Sequence, residues 1–343
     1  SEVPTNDNQL VNKNYVDNNS LIIHEINLSD YETDVDVNTS NLNINLASNS
    51  INYCVNDLQS SYFALGSGTN VLVIALAVMG TDLYVGGDFT QAGGNPANYI
   101  AKWDTLTNEW SALGTGTTGI VRSLAVMGTD LYVGGDFTQA SGLTVNRIAK
   151  WDTLNSTWSA LGDGTIGTNG QVNALAVMGT NLYVGGGFSQ AGGIPASNIA
   201  KFNTLTNEWS ALGSGTSGTM YELAVMGTDV YAGGVFTQAS GLTVNRIAKF
   251  DTVNSTWSAL GTALGTGTNN AVYAFAFMGT DLYVGGDFTQ AGGISASNIA
   301  KWGTILLNLY INEKLVYPNL QKNAVVNVSV TEYNTPYSVL VDY

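Results

Sequence analysis

Two residue types that commonly build reactive sites are almost missing from this sequence, which has one cysteine, Cys54, and one histidine, His24. An intramolecular disulfide is therefore excluded, as is a multi-histidine metal site. A Cys54–His24 nucleophile and base would need an activating context, and neither residue has one in its surrounding sequence. Positive charge is also scarce: 11 basic residues stand against 26 acidic ones, a net charge of -15. A surface of that sign repels phosphate backbones and anionic headgroups, so nucleic acid is not an expected partner. No run approaches 18 apolar residues and no basic-then-apolar leader opens the sequence, so neither membrane insertion nor a classical secretion signal is expected.

What the chain does have is glycine, 40 in 343 residues, and 44% hydrophobic residues against only 11% charged. Such a chain packs a core, turns often and solvates its surface with Asn, Ser and Thr. The acid is uneven. Residues 1–60 carry nine carboxylates against Lys13, a net of -8, which leaves -7 for everything after them.

Self-comparison is the most informative step. The phrase around VMGTDLYVGGDFTQA recurs five times, with methionines at Met79, Met127, Met178, Met226 and Met278, spaced 48, 51, 48 and 52 residues apart. A second marker, WSALG, begins at Trp110, Trp158, Trp209 and Trp257, with a degenerate copy at Tyr62 to Gly66. Each unit reads as four short strands, a to d; in the second copy they are Val121 to Met127, Leu131 to Thr138, Arg147 to Asp152 and Thr157 to Leu161. All are rich in Val, Leu, Tyr, Phe or Trp and bounded by Gly, Asn, Asp or Ser. Four antiparallel strands in about 50 residues make one propeller blade, which cannot bury both faces unless neighbours stack on it. The expected fold is all-β, a five-bladed β-propeller over residues 61–302. The lone strand d at 61–65 pairs with the last strand c at 298–302, so that both ends of the chain build the fifth blade and two edges disappear.

LYVGGDFTQAGG and IAKWD followed by NEWSALG resemble the kelch-like propeller repeats of many bacterial and viral surface proteins. That resemblance implies architecture more than activity, because such folds host many functions. A WD-repeat reading is weaker: Trp103-Asp104 and Trp151-Asp152 fit it, but the structural histidine of that family's blades is absent from these repeats. Near the start, NDNQLVNKNYVD (residues 6–17) resembles a short motif of tail-fibre and surface-fibre proteins of phages and large DNA viruses. It implies a virion or extracellular-surface appendage, with other virion or surface proteins as partners and homo-oligomer formation through the terminal segments.

Residues 1–60 are expected to form an acidic fibre-like segment with short strands around LNINL and INYCV, and residues 303–343 a small β appendage with strands ILLNLYI, AVVNVSV and YSVLVDY. Sialidase-like chemistry needs several convergent arginines, and the chain has only Arg122, Arg147 and Arg246, the last two at one repeat position. A non-enzymatic structural or binding protein without cofactor or metal is expected, with a propeller-type glycoside hydrolase as the alternative. Asp88, Asp136 and Asp287 after the Gly-Gly are read as turn or capping residues, since Gly187 and Val235 replace them elsewhere. Lys102, Lys150, Lys201, Lys249 and Lys301 are read as structural partners of Asp104, Asp152 and Asp251.

The five copies also differ from one another in an informative way. The a–b turn is nearly constant, whereas the d–a loops vary. Five residues before the repeat methionines stand Ile74, Arg122, Asn173, Tyr221 and Tyr273, the most diverse position, with Glu222 adjacent. Arg122, Asn173, Tyr221, Glu222 and Tyr273 are therefore the candidate ligand-binding residues, on the face carrying the d–a and b–c loops, and a glycan or a surface protein is the expected ligand.

Overall fold

The computed structural model describes residues 42–47, 50–55, 62–162, 167–262, 265–303, 306–311, 314–321 and 339–342. The chain divides into two units, Ser1–Phe63 and Ala64–Tyr343. In the first, Leu42–Ala47 and Ser50–Val55 form an antiparallel hairpin, with Ala47 opposite Ser50. These are the strands expected from LNINL and INYCV, and Cys54 lies in the second. The motif at residues 6–17 and His24 fall outside the described residues.

The second unit is all-β among its described residues. Four repeats each form a four-stranded antiparallel sheet in the order a-b-c-d. In the first the strands are Val73–Met79, Asp82–Gly87, Ile100–Asp104 and Glu109–Ala112. The second runs Val121–Met127, Asp130–Gly135, Ile148–Asp152 and Thr157–Ser159, so strand b stops three residues short of the expected Thr138. Chain that was read as the end of strand b and its loop instead folds into a two-residue ribbon, Gln139–Ala140 against Leu143–Thr144. Its turn residues Ser141 and Gly142 both have positive φ, as a tight hairpin requires.

No sheet owns a core. One apolar cluster joins Tyr84, Ile100 and Leu113 of the first repeat to Val121, Leu131 and Phe137 of the second. Another joins Tyr132, Ile148 and Leu161 to Val172, Leu182 and Phe202. The burial that stabilises each repeat is supplied by its neighbour, as in other stacked arrays. The WSALG tryptophan contributes twice. Trp158 packs across the sheet on Trp151, ring centres 5.2 Å apart, and its indole N–H donates to Leu113 O of the preceding repeat at 3.0 Å. The repeat methionine reaches the other way, Met79 Sδ receiving the Thr153 hydroxyl of the second repeat at 3.8 Å.

The Gly-Gly signature has a separate cause for each residue. A Cβ on Gly134 would lie 2.5 Å from Val172 Cγ1 of the next repeat, so the first glycine admits the neighbouring sheet. A Cβ on Gly135 would lie 2.0 Å from Ile120 O, just ahead of its own strand a, so the second glycine admits a backbone.

The fifth repeat forms a sheet of three strands, Val272–Met278, Asp281–Gly286 and Ile299–Trp302. Residues 62–65 carry no strand, so the expected pairing of 61–65 with 298–302 is not formed in this structure. Beyond it, Leu306–Ile311 lies between Lys314–Gln321 and Val339–Asp342 in a three-stranded sheet. Two of the three C-terminal strands were expected. Lys314–Gln321 was not, and AVVNVSV lies outside the described residues.

Candidate functional site

The variable position of strand a has a definite geometry. Pairing with strand b slips by one residue there in every repeat: Val73 faces Gly87 and Ala75 faces Gly86, leaving Ile74 unpaired. Arg122, Asn173, Tyr221 and Tyr273 are the unpaired residues of the other four repeats. Each is the extra residue of a β-bulge, a device that re-aims a side chain out of the sheet's alternation. Sequence reasoning found the row through its diversity and missed the bulge. The visible signal was the pair of glycines opposite it, the second of which lets strand a crowd in.

The row is not a set of free side chains. The Arg122 guanidinium grips Asp136, Nε at 2.8 Å and Nη2 at 2.6 Å from the same carboxylate oxygen. The Asn173 amide donates to Met220 O of the next repeat at 2.8 Å. Tyr221 and Tyr273, on neighbouring repeats, form a tilted ring pair with centres 5.3 Å apart and planes at 41°. Tyr273 is exposed and Tyr221 half-buried. Glu222 follows the bulge. Burial pushes its carboxyl up to about 7, against a smaller downward pull from the Leu223 N–H. The corresponding Ser123 accepts a hydrogen bond from Leu175 N of the next repeat, so this position faces the neighbouring strand a.

The loops expected on one face do meet. In each repeat a threonine of the d–a loop bridges the ribbon alanine, Thr69 with Ala92 and Thr216 with Ala239 among them. In the fourth repeat the same loops frame an open polar groove of about 150 Å³ lined by Ser214, Ser217, Gln238 and Ser240, which sequence reasoning did not find.

The lysine row needs a correction. Lys102, Lys150, Lys249 and Lys301 pair with Asp82, Asp130, Asp229 and Asp281 at 2.8–3.1 Å, not with the aspartates two residues on. Asp104 instead accepts the Leu106 and Thr107 amides, which hold its carboxyl below the usual range, the Thr107 bond contributing most. Asp152 and Asp251 are lowered in the same turn, chiefly by the side chains of Asn155 and Asn254. Lys201 lies where both acids are replaced, by Asn181 and Asn203. Of the aspartates after the Gly-Gly, Asp136 holds Arg122 and Asp287 accepts the Asn270 amide at 3.2 Å. Among the described residues no group of three or more His, Cys, Asp or Glu side chains is arranged to hold a metal, and no helix is long and apolar enough to cross a membrane.

Residues 164–278 match the family described as the Rax2 C-terminal beta propeller domain. No curated protein matches the chain. Among solved structures it is similar to the computationally designed Ika8 protein, with 18% identity, a TM-score of 0.43, and coverage of 64% of this chain and 57% of that one. It is also similar to the extracellular domain of the putative hybrid two component system BT4673 from B. thetaiotaomicron, with 12% identity, a TM-score of 0.47, and coverage of 86% of this chain and 34% of that one. The chain thus spans 57% of the first of these and about a third of the second. The repeated four-stranded antiparallel sheets and the family match together support a β-propeller.

Proposed function

We propose that this is a non-enzymatic binding or structural protein of a virion or cell surface. Its repeats form a five-bladed, kelch-like propeller completed by residues 61–65, and its ligand, a glycan or a surface protein, docks beside the bulge row of strand a. The observation that carries the reading is the Tyr221–Tyr273 pair: two aromatic rings from neighbouring repeats, at the one position where strand a releases its side chain from the sheet. Aromatic faces flanked by hydrogen-bonding groups suit sugar or peptide recognition. Because Asp136 already neutralises Arg122, the row offers no unpaired cation of its own, which favours a neutral ligand over an anionic one.

The test is the double variant Tyr221→Ala/Tyr273→Ala on a glycan array and on candidate host surfaces. Binding should weaken by about 1–3 kcal/mol if both rings are anchors. Unchanged binding would remove the site, and absence of binding by the native protein would favour a rigid spacer. One observation favours the hydrolase alternative, since a carboxyl held near neutrality, as in Glu222, is what a general acid needs. Glycoside hydrolysis also takes a second carboxylate, and two of the three aspartates that follow a Gly-Gly pair, Asp136 and Asp287, are engaged by Arg122 and Asn270. Binding is therefore the preferred reading.

A further inference from the structure

The four seams between consecutive repeats are built alike, and the two ends of the array display the two halves of one more. On the outgoing side of a seam stand the first glycine of the pair, the first residue of strand c and the repeat methionine. On the incoming side stand the residue just before the bulge of strand a, the apolar residue three further on, which is leucine at three seams and Phe275 at the fourth, and, at the first three seams, the threonine after strand c. At the first seam these are Gly86, Ile100 and Met79 against Val121, Leu124 and Thr153; a Cβ on Gly86 would meet Val121 Cγ1 at 2.4 Å, and Ile100 and Val121 are fully buried.

The fifth repeat has the outgoing set with nothing against it among the described residues. A Cβ on Gly285 would meet no atom nearer than Ala274 Cβ of its own strand a, at 3.7 Å. Ile299 is 66% exposed, where Ile100, Ile148 and Ile199 are 0%. Met278 is 70% exposed, whereas the other four repeat methionines are half-buried. The first repeat has the incoming set, also uncovered: Val73 is 37% exposed where Val121 and Val172 are 0%, and Leu76 is 61% exposed where Leu175 is 9%.

We infer that the occupant of the fifth repeat's free face is the first repeat of the same chain, through a fifth seam in which Val73 seats on Gly285, Leu76 packs beside Ile299, and Met278 reaches Thr105. This deepens the five-bladed reading above by naming the residues that meet, and it does not depend on the ligand site. A further observation marks the same chain as the occupant. The Trp110 indole already donates to Leu65 O at 2.8 Å, in the relation that Trp158 has to Leu113 and Trp257 to Leu212. Leu65 thus sits on the first repeat as the end of a preceding strand d, and the fifth sheet is the one that lacks strand d. A first repeat tethered to its own fifth repeat also acts at a high effective concentration, whereas head-to-tail docking of copies leaves an unsatisfied face at each end of the filament.

The experiment is a cysteine trap in a Cys54→Ser background. Val73→Cys with Gly285→Cys is oxidised beside an internal control, Val172→Cys with Gly134→Cys, whose Cβ positions lie 3.2 Å apart, close to disulfide reach. The expected result is a monomer that has lost both thiols in each variant. Covalent dimers or ladders from the 73/285 pair would assign the face to a second copy. Free thiols there beside an oxidised control would mean open ends, and either outcome overturns the inference. If the substitutions impair folding, peroxide oxidation of the native chain gives a second readout by peptide mass. Met278 should oxidise within about twofold of Met127, because thioether oxidation follows exposure; oxidation about tenfold faster would refute the seam. Since the trap reads mass, it succeeds or fails independently of ligand binding by the Tyr221/Tyr273 variant.

Discussion

The same substitution at three glycines of one repeat should cost three different amounts, and the ranking follows from what each new Cβ meets. At Gly135 it meets Ile120 O at 2.0 Å. Ordinary contact needs about 3.4 Å or more, so strand a would have to withdraw by more than about 1 Å from a position fixed by packing. That carbonyl also accepts the Asp136 N–H at 2.9 Å, and moving it weakens the bond that turns the chain out of strand b. Overpacking costs about 1–3 kcal/mol and a broken, partly buried backbone bond about another 1–2, so Gly135→Ala should cost about 2–5 kcal/mol. At Gly134 the obstacle is a side-chain methyl of Val172 at 2.5 Å, which a small shift between sheets relieves, and about 1–3 kcal/mol is expected. At Gly128, in the a–b turn, nothing lies within 4 Å and φ is +62°, so the cost is conformational, about 1–2 kcal/mol.

Urea melts of the three variants, fitted with a common slope, read the ranking directly. Should Gly135→Ala cost no more than Gly128→Ala, the close approach of strand a at the bulge is wrong, and with it the geometric basis of the candidate site.

Other expectations follow from single contacts. Trp158→Phe should cost about 1 kcal/mol more than Trp209→Phe in thermal melts, because the Trp158 N–H bonds Leu113 O while Trp209 Nε1 is buried without a partner; equal costs would remove the role given to that bond. Glu222 binds its proton more tightly folded than unfolded, so its contribution is complete below about pH 4.5 and is lost as pH rises through about 7. Glu222→Gln should therefore flatten the stability profile across that window and exceed the native protein in stability at pH 8; an unchanged slope would show the carboxyl to be solvated. Melts with and without a chelator should coincide, a drop of more than about 10 °C revealing a structural cation.

The repeat period made most of the fold legible, because each blade must present the same groups to its neighbours and therefore repeats them. Strand a of the second copy was bounded correctly, since a methionine and a glycine close it in every repeat. What stayed hidden depended on which atoms oppose which. The Lys150 partner could not be read from the near sequence because Asp130 is adjacent only across the sheet, in strand b, while the nearer Asp152 is consumed by its own turn. The pattern Asp-x-x-Asn at 152–155 and 251–254 was the available sign of that turn. Likewise, strand b reads from sequence as running on to Thr138 because Leu131, Tyr132, Val133 and Phe137 are all strand formers. Phe137 is fully buried, but in the apolar cluster shared with the first repeat and not as a member of the ladder.

The candidate site was legible as variation without its cause. A bulged residue is unpaired in the ladder, so the sheet asks little of its identity, and Ile, Arg, Asn and Tyr are all tolerated there. Diversity at that position is thus a consequence of geometry, and alone it does not mark a binding site. The distinguishing feature is how the released side chains are used. Arg122 and Asn173 turn back to make bonds within the protein, to Asp136 and to Met220 O, and so act as struts along and between repeats. Tyr221 and Tyr273 turn to each other instead, with Tyr273 left half in solvent at a cost that packing does not require. On the binding reading proposed above, the weight of the row therefore falls on its last two members, and the aromatic pair, not the guanidinium, is where a ligand should first be sought.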